Sequence, residues 1–380
     1  MNNLTKRVFI KLCDYCNLFA GSIFDALQRA RIVSEFPVKA IIHFGPAETV
    51  VHPYPQNYQQ EHQAHFVTWK EYNTLLLDLY SLENVRVTYE GVVLKNAKPF
   101  IPALPHPIFR HKFGVLYNLY SRLRYSKKSA DPSKKYVLVY DFWSQKNYYH
   151  WCIDSLCRAW MVKEFLKEGY ELLLPPKPAS YVYDSLACFD LNDRTLVPKN
   201  TLLKIHSLSM MGYAAGSGRH HPAILNKVRD LLLEKLDIHH DPTKNNQRIY
   251  ASRGRQSSRT VVNEEDLISL LERNGFRTVY FEGMSLAEQA GLMQHTSVFI
   301  SSHGANMTNC LFLPDNAKVL ELINDRQPNF CYWSLCAGIR LAYYYQLCAI
   351  ATSDHIRVDL PELEKNLALL LDETEKSPVS

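Results

Sequence analysis

The sequence predicts an α/β protein of two domains, and three observations lead there. Its C-terminal half alternates strands and helices through tight connections, a pattern that demands a parallel sheet with right-handed crossovers. Its 380 residues exceed what one core usually organises. Its 47% hydrophobic and 21% charged residues are those of a folded chain and argue against disorder.

The C-terminal half is the more legible. RIYAS at 248–252 is a strand, followed by a helix from Glu264 that Asn263 is expected to cap and Gly275 to end. A strand at 276–281 comes next, then a second helix opened by a capping box of Ser285 and Glu288. SVFIS at 297–301 is a third strand; a glycine turn, a short helix and a strand at 318–323 complete a Rossmann-like domain. The ligand of such a domain lies at the carboxyl ends of its strands.

In the N-terminal half, 85–94 reads as a hairpin turning near Glu90 and Gly91, and 136–141 as a buried strand. A long helix over 148–167, a strand at 172–174 and a helix over 222–236 follow. The polar run 239–247 reads as a linker. The expected domains are therefore 1–238, 247–350 with the ligand at its strand ends, and a tail, 351–380, whose amphipathic helix is expected to cross back to the first domain.

The net charge of +5 is uneven, with +7 in residues 1–130 and −2 in the rest. Between 110 and 135 eight basic residues oppose Asp131 alone. The stretch reads as a patch for anionic lipid head groups or an acidic glycan, or as a solvated loop; peripheral membrane contact is the expectation taken from it. No nucleic-acid motif accompanies the charge, so nucleic acid is not an expected partner. The apolar segment 8–27 is interrupted by Lys11, Asp14 and Asp25 and falls short of the about 18 residues a membrane span needs. Nine irregularly spaced cysteines include one C-x-x-C, Cys13 and Cys16, without a second pair to complete a zinc site. A cytoplasmic protein with free thiols is the expectation.

Three groups of residues carry candidate chemistry. Ser301-Ser302-His303-Gly304-Ala305-Asn306 stands where a strand gives way to a helix, so backbone N–H groups and the helix dipole favour an anion there. Arg253, Arg255 and Arg259 follow the first strand of the same domain, on the same rim, and suit a phosphate. Asn147, His150 and Asp154 open the long N-terminal helix; His150 and Asp154, four apart, share one helical face, as an imidazole base and its orienting carboxylate would. Glu321, in an apolar strand, needs a partner: ribose hydroxyls, a base, or an arginine. No Asp-x-Asp occurs, so no metal site and no cofactor are expected; arginines and N–H groups take the place of a cation.

From about 136 to 324 the chain resembles glycosyltransferase family 61. The resemblance rests on N-x-x-H-x-x-x-D at Asn147, His150 and Asp154, on Ser252, Arg253, Arg259, Asn263 and Glu264, and on His303, Gly304, Ala305, Asn309, Phe312, Pro314, Glu321 and Leu322. It implies a GT-B fold, two Rossmann-like domains facing a central cleft, and transfer with inversion and no obligatory metal. It implies donor contacts at Arg253 and the His303, Gly304, Ala305 turn, with Arg255, Arg259, Asn309 and Glu321 taken as further donor contacts on the same rim, His150 or Asp154 as base, and Asn147 near the acceptor. A nucleotide-sugar donor, UDP-linked by family habit, and a glycan or lipid-linked glycan acceptor are the implied partners, in bacterial polysaccharide or lipopolysaccharide synthesis. The rival expectations are an inactive glycan-binding protein on this fold, and an NAD-dependent oxidoreductase, which the missing G-x-G-x-x-G disfavours.

Overall fold

The structure, a computed structural model, describes residues 36–372 except 97, 107–108, 110–111, 114, 167–168, 200 and 240–246. The segment 8–27, the pair Cys13 and Cys16, Arg110 and most of the linker 239–247 lie outside the described residues. Two compact units emerge, one comprising the chain up to Glu48 with Leu75–Ser217, the other Thr49–Thr74 with the chain from Gly218.

The first unit is built on β1 (Ala40–His43), β4 (Asp78–Val87), β5 (Val93–Lys95), β6 (Lys98–Pro99), β7 (Ser126–Ser129), β8 (Lys135–Leu138), β9 (Glu171–Leu173), β10 (Thr195–Leu196) and β11 (Thr201–Met211). Their order is β10-β9-β8-β11-β4-β5-β6, with β1 on β4 and β7 on β11. The first four are parallel, but β4 runs antiparallel to β11 and β5 antiparallel to β4. The sheet is thus mixed, where a Rossmann-like one was expected, because β4 returns through a hairpin and not through a crossover helix. That hairpin needs Gly91: its φ is 79°, and a Cβ there would stand 2.9 Å from the Tyr140 ring.

The long helix is three pieces, Tyr148–His150, a π turn at Trp151–Ser155, and Leu156–Leu166. Trp151 is fully buried, and its indole N–H donates to the Ser185 hydroxyl at 2.9 Å. Leu156, Ala159, Met161 and Val162 bury the continuing face. Burying one such side chain contributes about 1.5–3 kcal/mol, so this packing fixes the roll of the whole segment.

The second unit carries β12 (Gln247–Ala251), β13 (Phe276–Val279), β14 (Thr296–Ser302), β15 (Lys318–Asn324), β16 (Ala342–Thr352) and β17 (His355–Arg357), in the order β13-β12-β14-β15-β16-β17. All pairs are parallel except the last. The order reverses between β12 and β14, which makes their carboxyl ends the topological switch point. The capping box at Ser285 and Glu288 is present. Asn263, by contrast, makes no cap: its side-chain amide donates to the Val358 carbonyl and accepts from the Val358 N–H. Glu264, Glu265 and Asp266 supply negative charge to that helix start instead.

Three segments sit elsewhere than the sequence suggested. The terminal helix Leu360–Leu371 stays with the second unit, because Leu363, Leu367 and Leu370 complete the core beneath β12, β14 and β15. The helix Pro222–Lys235 also belongs there; the Arg229 guanidinium donates to the carbonyls of Leu311 and Leu313 at 3.1 and 2.6 Å. So do β2 (Thr49–Val51) and β3 (Glu71–Asn73), an antiparallel pair distant in sequence from the rest of the unit. A buried polar cluster holds this segment: the His52 and His220 rings both bond the Ser334 hydroxyl, and Tyr72 donates to the His220 carbonyl. Among the described residues, no helix is long and apolar enough to cross a membrane.

Burial depresses both histidines, His52 to about 4 and His220 to about 3, from 6.5. Below pH 6.5 the unfolded chain therefore binds protons that the folded chain refuses. Stability present above that pH should fall as pH drops toward 4, by up to about 1.4 kcal/mol per pH unit for each ring. Thermal unfolding of the wild type between pH 7 and 4 should show this decline, and His220→Asn should flatten it.

Candidate active site

In the first unit, His150 and Asp154 meet across the π turn. Asn147 caps the helix start, its side-chain oxygen accepting from the Tyr149 and His150 N–H groups. The His150 Nδ1 lies 2.8 Å from an Asp154 oxygen. A carboxylate only accepts, so Nδ1 carries the hydrogen and the lone pair of the neutral ring is at Nε2. The ring stacks on Trp143, with centroids 4.6 Å apart at 27°. Both side chains are mostly but not wholly buried, at 17% and 16% exposure.

A buried charge network lies beneath this pair. Asp141, at the end of the run that begins with β8, accepts from the backbone N–H groups of Trp143 and Ser144 through one oxygen. Its other oxygen takes the Arg158 guanidinium at 3.0 Å and the Tyr213 hydroxyl at 2.7 Å. Arg158 is 1% exposed and lies over the Tyr213 ring; its Nε and Nη1 have no hydrogen-bond partner. Asp141 thus fixes the turn that carries Trp143, and Trp143 in turn flanks His150. Sequence reasoning placed Asp141 only at a strand end and passed over Arg158 and Tyr213. A lone arginine inside an apolar helix pattern was the available signal.

In the second unit, the two motifs of the rim lie at the carboxyl ends of adjacent parallel strands. The Asn306 side chain donates to the Ser252 carbonyl, and Ser302 donates to the Arg259 carbonyl, so β12 and β14 are tied together there. Glu264 orders the turn after β12 by accepting from the Tyr250 and Ser252 hydroxyls, and Ser252 accepts from the Gly254 N–H.

Arg253 is nearly buried and, among the described residues, forms no ion pair; its guanidinium donates only to the Ser258 carbonyl, at 3.3 Å. Its plane covers Gly304, where a Cβ would stand 2.4 Å from Nη1. Burial, then the neighbouring Arg259 charge, pull Arg253 below its usual value. Arg259 is exposed, and Arg255 lies over the Tyr280 ring at 4.0 Å. A guanidinium held this way has its remaining N–H donors available to an anion.

His303 and Glu321 form a second histidine–carboxylate pair. The Glu321 carboxylate is fully buried; one oxygen accepts from His303 Nδ1 and the other from the Tyr343 hydroxyl, both at 2.5 Å. The protein partners of Glu321 are therefore His303 and Tyr343 and not an arginine, and the carboxylate orients the His303 ring. Among the described residues, no three His, Cys, Asp or Glu side chains gather as metal ligands would. The seven described cysteines are buried and stand outside any disulfide.

Comparison with known proteins agrees with these motifs. The family model described as Glycosyltransferase 61 matches residues 148–320, which include His150, Asp154, Arg253 and His303. Residues 148–320 are thus similar to glycosyltransferase 61 domains. The chain is 29% identical over 167 residues to the EGF domain-specific O-linked N-acetylglucosamine transferase of Drosophila melanogaster, covering 41% of this chain and 32% of that one. The chicken (Gallus gallus) protein of that name is 28% identical over 134 residues, 34% of this chain and 25% of its own. The alpha-1,3-arabinosyltransferase XAT3 of Oryza sativa subsp. japonica is 32% identical over 72 residues, 18% and 12% of the two chains. The chain therefore spans about a third or less of the length of these relatives.

Within residues 148–320, Asn309 is buried and its side-chain amide donates to Gln289, which anchors the Ala305–Phe312 turn to the preceding helix. Asn147 is exposed, and its side-chain oxygen forms the helix cap. Ala305 opens the 305–312 turn directly beside Gly304.

Removing the Asp141 charge leaves Arg158 buried without a counter-ion. Asp141→Ala should cost about 3–5 kcal/mol in denaturant unfolding. A loss below about 1 kcal/mol would mean that water reaches the guanidinium.

Proposed function

We propose that this chain is an inverting glycosyltransferase that moves a sugar from a nucleotide sugar, UDP-linked first of all, to a hydroxyl of a glycan, without an obligatory metal. The observation that carries this reading is the presence of both rim motifs at the switch point of a parallel sheet, with an unpaired, nearly buried guanidinium over Gly304. The domain match and the named transferases among the relatives support the reaction class. The absence of Asp-x-Asp favours cation-free handling of the diphosphate. The GT-B class is part of the same proposal.

In this mechanism His150 Nε2 takes the proton of the acceptor hydroxyl while Asp154 holds the ring by Nδ1. The acceptor oxygen bonds to C1 of the sugar. The bond from C1 to the diphosphate oxygen breaks on the opposite face, its electron pair staying with the diphosphate, so the anomeric carbon inverts. Arg253, with Arg259 and the N–H groups after Gly304, stabilises the charge that develops. His303 approaches a phosphate oxygen as a donor only when Nε2 is protonated as well, and Glu321 offsets that charge. Asp154 is committed to His150, which makes the imidazole the base and the carboxylate its orienting group.

A thermal-shift screen against UDP, GDP, CMP and their sugars with EDTA present is the first test. Stabilisation by one nucleotide is the expected outcome; none with any would favour a non-catalytic glycan binder. Once transfer is measurable, Arg253→Ala should lower kcat by about 10²–10³, the scale of one lost charge-stabilising donor. His150→Ala should lower it by about 10²–10⁴ with donor affinity retained. Unchanged turnover in either variant would remove that residue from the mechanism.

A further inference from the structure

The helix Val115–Arg124, in the first unit, is turned inside out. Its inward face carries the polar residues Asn118 and Ser121, both buried, with the Ser121 hydroxyl donating to the Asn118 carbonyl. Its outward face carries Leu119, Tyr120 and Leu123, exposed by 55%, 44% and 79%. Leu123 is the most exposed large hydrophobic side chain among the described residues. Positions 119, 120 and 123 fall together on one side of a 3.6-residue helix.

The orientation is not a loose one. The Tyr117 and Tyr125 hydroxyls, just within and just beyond the helix, donate to the two oxygens of Glu90. Tyr117 is also within 2.9 Å of the Thr88 hydroxyl. One carboxylate from the β4–β5 hairpin therefore sets the roll of the helix, and rotating Leu119 and Leu123 inward would break both bonds. Buried unpaired tyrosine and carboxylate groups cost more than two leucines recover.

Basic residues surround the apolar face. Arg122 and Arg124 are exposed on the same helix, and Lys127 and Lys128 are exposed on β7, whose four residues all face solvent. An acidic glycan or peptide would use the charges and leave two leucines in water. A bilayer surface uses both, since leucines enter the boundary between head groups and acyl chains while arginine and lysine meet anionic lipid. Tyrosine at the edge of such a face suits the head-group level.

We propose that Leu119, Tyr120 and Leu123, with Arg122, Arg124, Lys127 and Lys128, form a docking face for an anionic lipid bilayer. None of these residues belongs to either histidine pair, so the test does not depend on the transferase reading. The experiment is co-sedimentation of the full chain with phosphatidylcholine vesicles, with and without about a third phosphatidylserine. Binding to the anionic vesicles, weakened by salt, is the expected result. The Leu119→Ser/Leu123→Ser variant should bind them about tenfold less well or worse, the charge being unchanged. Its melting temperature should match the wild type, because both side chains are exposed. Replacing the four basic residues by glutamine should abolish the preference for phosphatidylserine. Undiminished vesicle binding by the leucine variant would overturn the proposal, as would no binding to either vesicle. Capture by an immobilised acidic polysaccharide without vesicle binding would assign the surface to a glycan instead.

Discussion

The rim of the second unit depends on one close approach, that of the Arg253 guanidinium to the backbone at Gly304. A Cβ at this position would collide with Nη1, so a larger residue would push the guanidinium away. The glycine φ of 154° is a second reason, being unfavourable for an L side chain. Beside this contact the β12 and β14 ends are joined by the Asn306–Ser252 and Ser302–Arg259 hydrogen bonds. The contact also keeps a nearly buried cation beside helix N–H groups. A glycine between a histidine and an alanine is thus a steric requirement of the arginine fifty-one residues before it.

His150 and His303, one in each unit, are both bound through Nδ1 to a carboxylate, but their surroundings differ. Asp154 is partly open and lies on a π turn, beside an aromatic ring stacked on its histidine. π turns bring helix backbone and side chains into arrangements that a regular helix does not offer. Glu321 is sealed, with Tyr343 on its second oxygen. The open pair suits a ring that exchanges a proton with a substrate hydroxyl. The sealed pair suits a ring held in one orientation beside an anion. Environment, rather than residue type, separates their proposed roles.

Much of this was legible in the sequence, and the pattern of success is physical. The C-terminal strands and helices follow local rules, such as apolar periodicity, the Ser285 cap and Gly275 after a helix, and the structure matches them. The His150–Asp154 pairing follows from a spacing of four residues. What failed involved long-range partners. The carboxylate of Glu321 finds Tyr343 on a later strand, and Asn263 finds Val358 ninety-five residues on. No local pattern announces such partners. The terminal helix was read as amphipathic, correctly, but amphipathicity does not say which core it completes. Residues 49–74 join the second unit through the buried His52, whose partner Ser334 lies 282 residues away.

The second unit's rim also carries a cost that ordinary folding would remove. Arg253 is pulled below its usual value by burial and by Arg259, a like charge, and no carboxylate among the described residues pairs with it. In a region selected for stability alone, an apolar residue or a nearby glutamate would relieve that strain. Glu264, a few residues away, is instead bound to the Tyr250 and Ser252 hydroxyls and shapes the turn. The cation is thereby left oriented and unneutralised. Such an arrangement is preorganised for negative charge that arrives with a ligand, and it needs no rearrangement when that charge grows during bond breaking. The same feature that weakens the apo rim is therefore the one that best explains how a leaving diphosphate would be received.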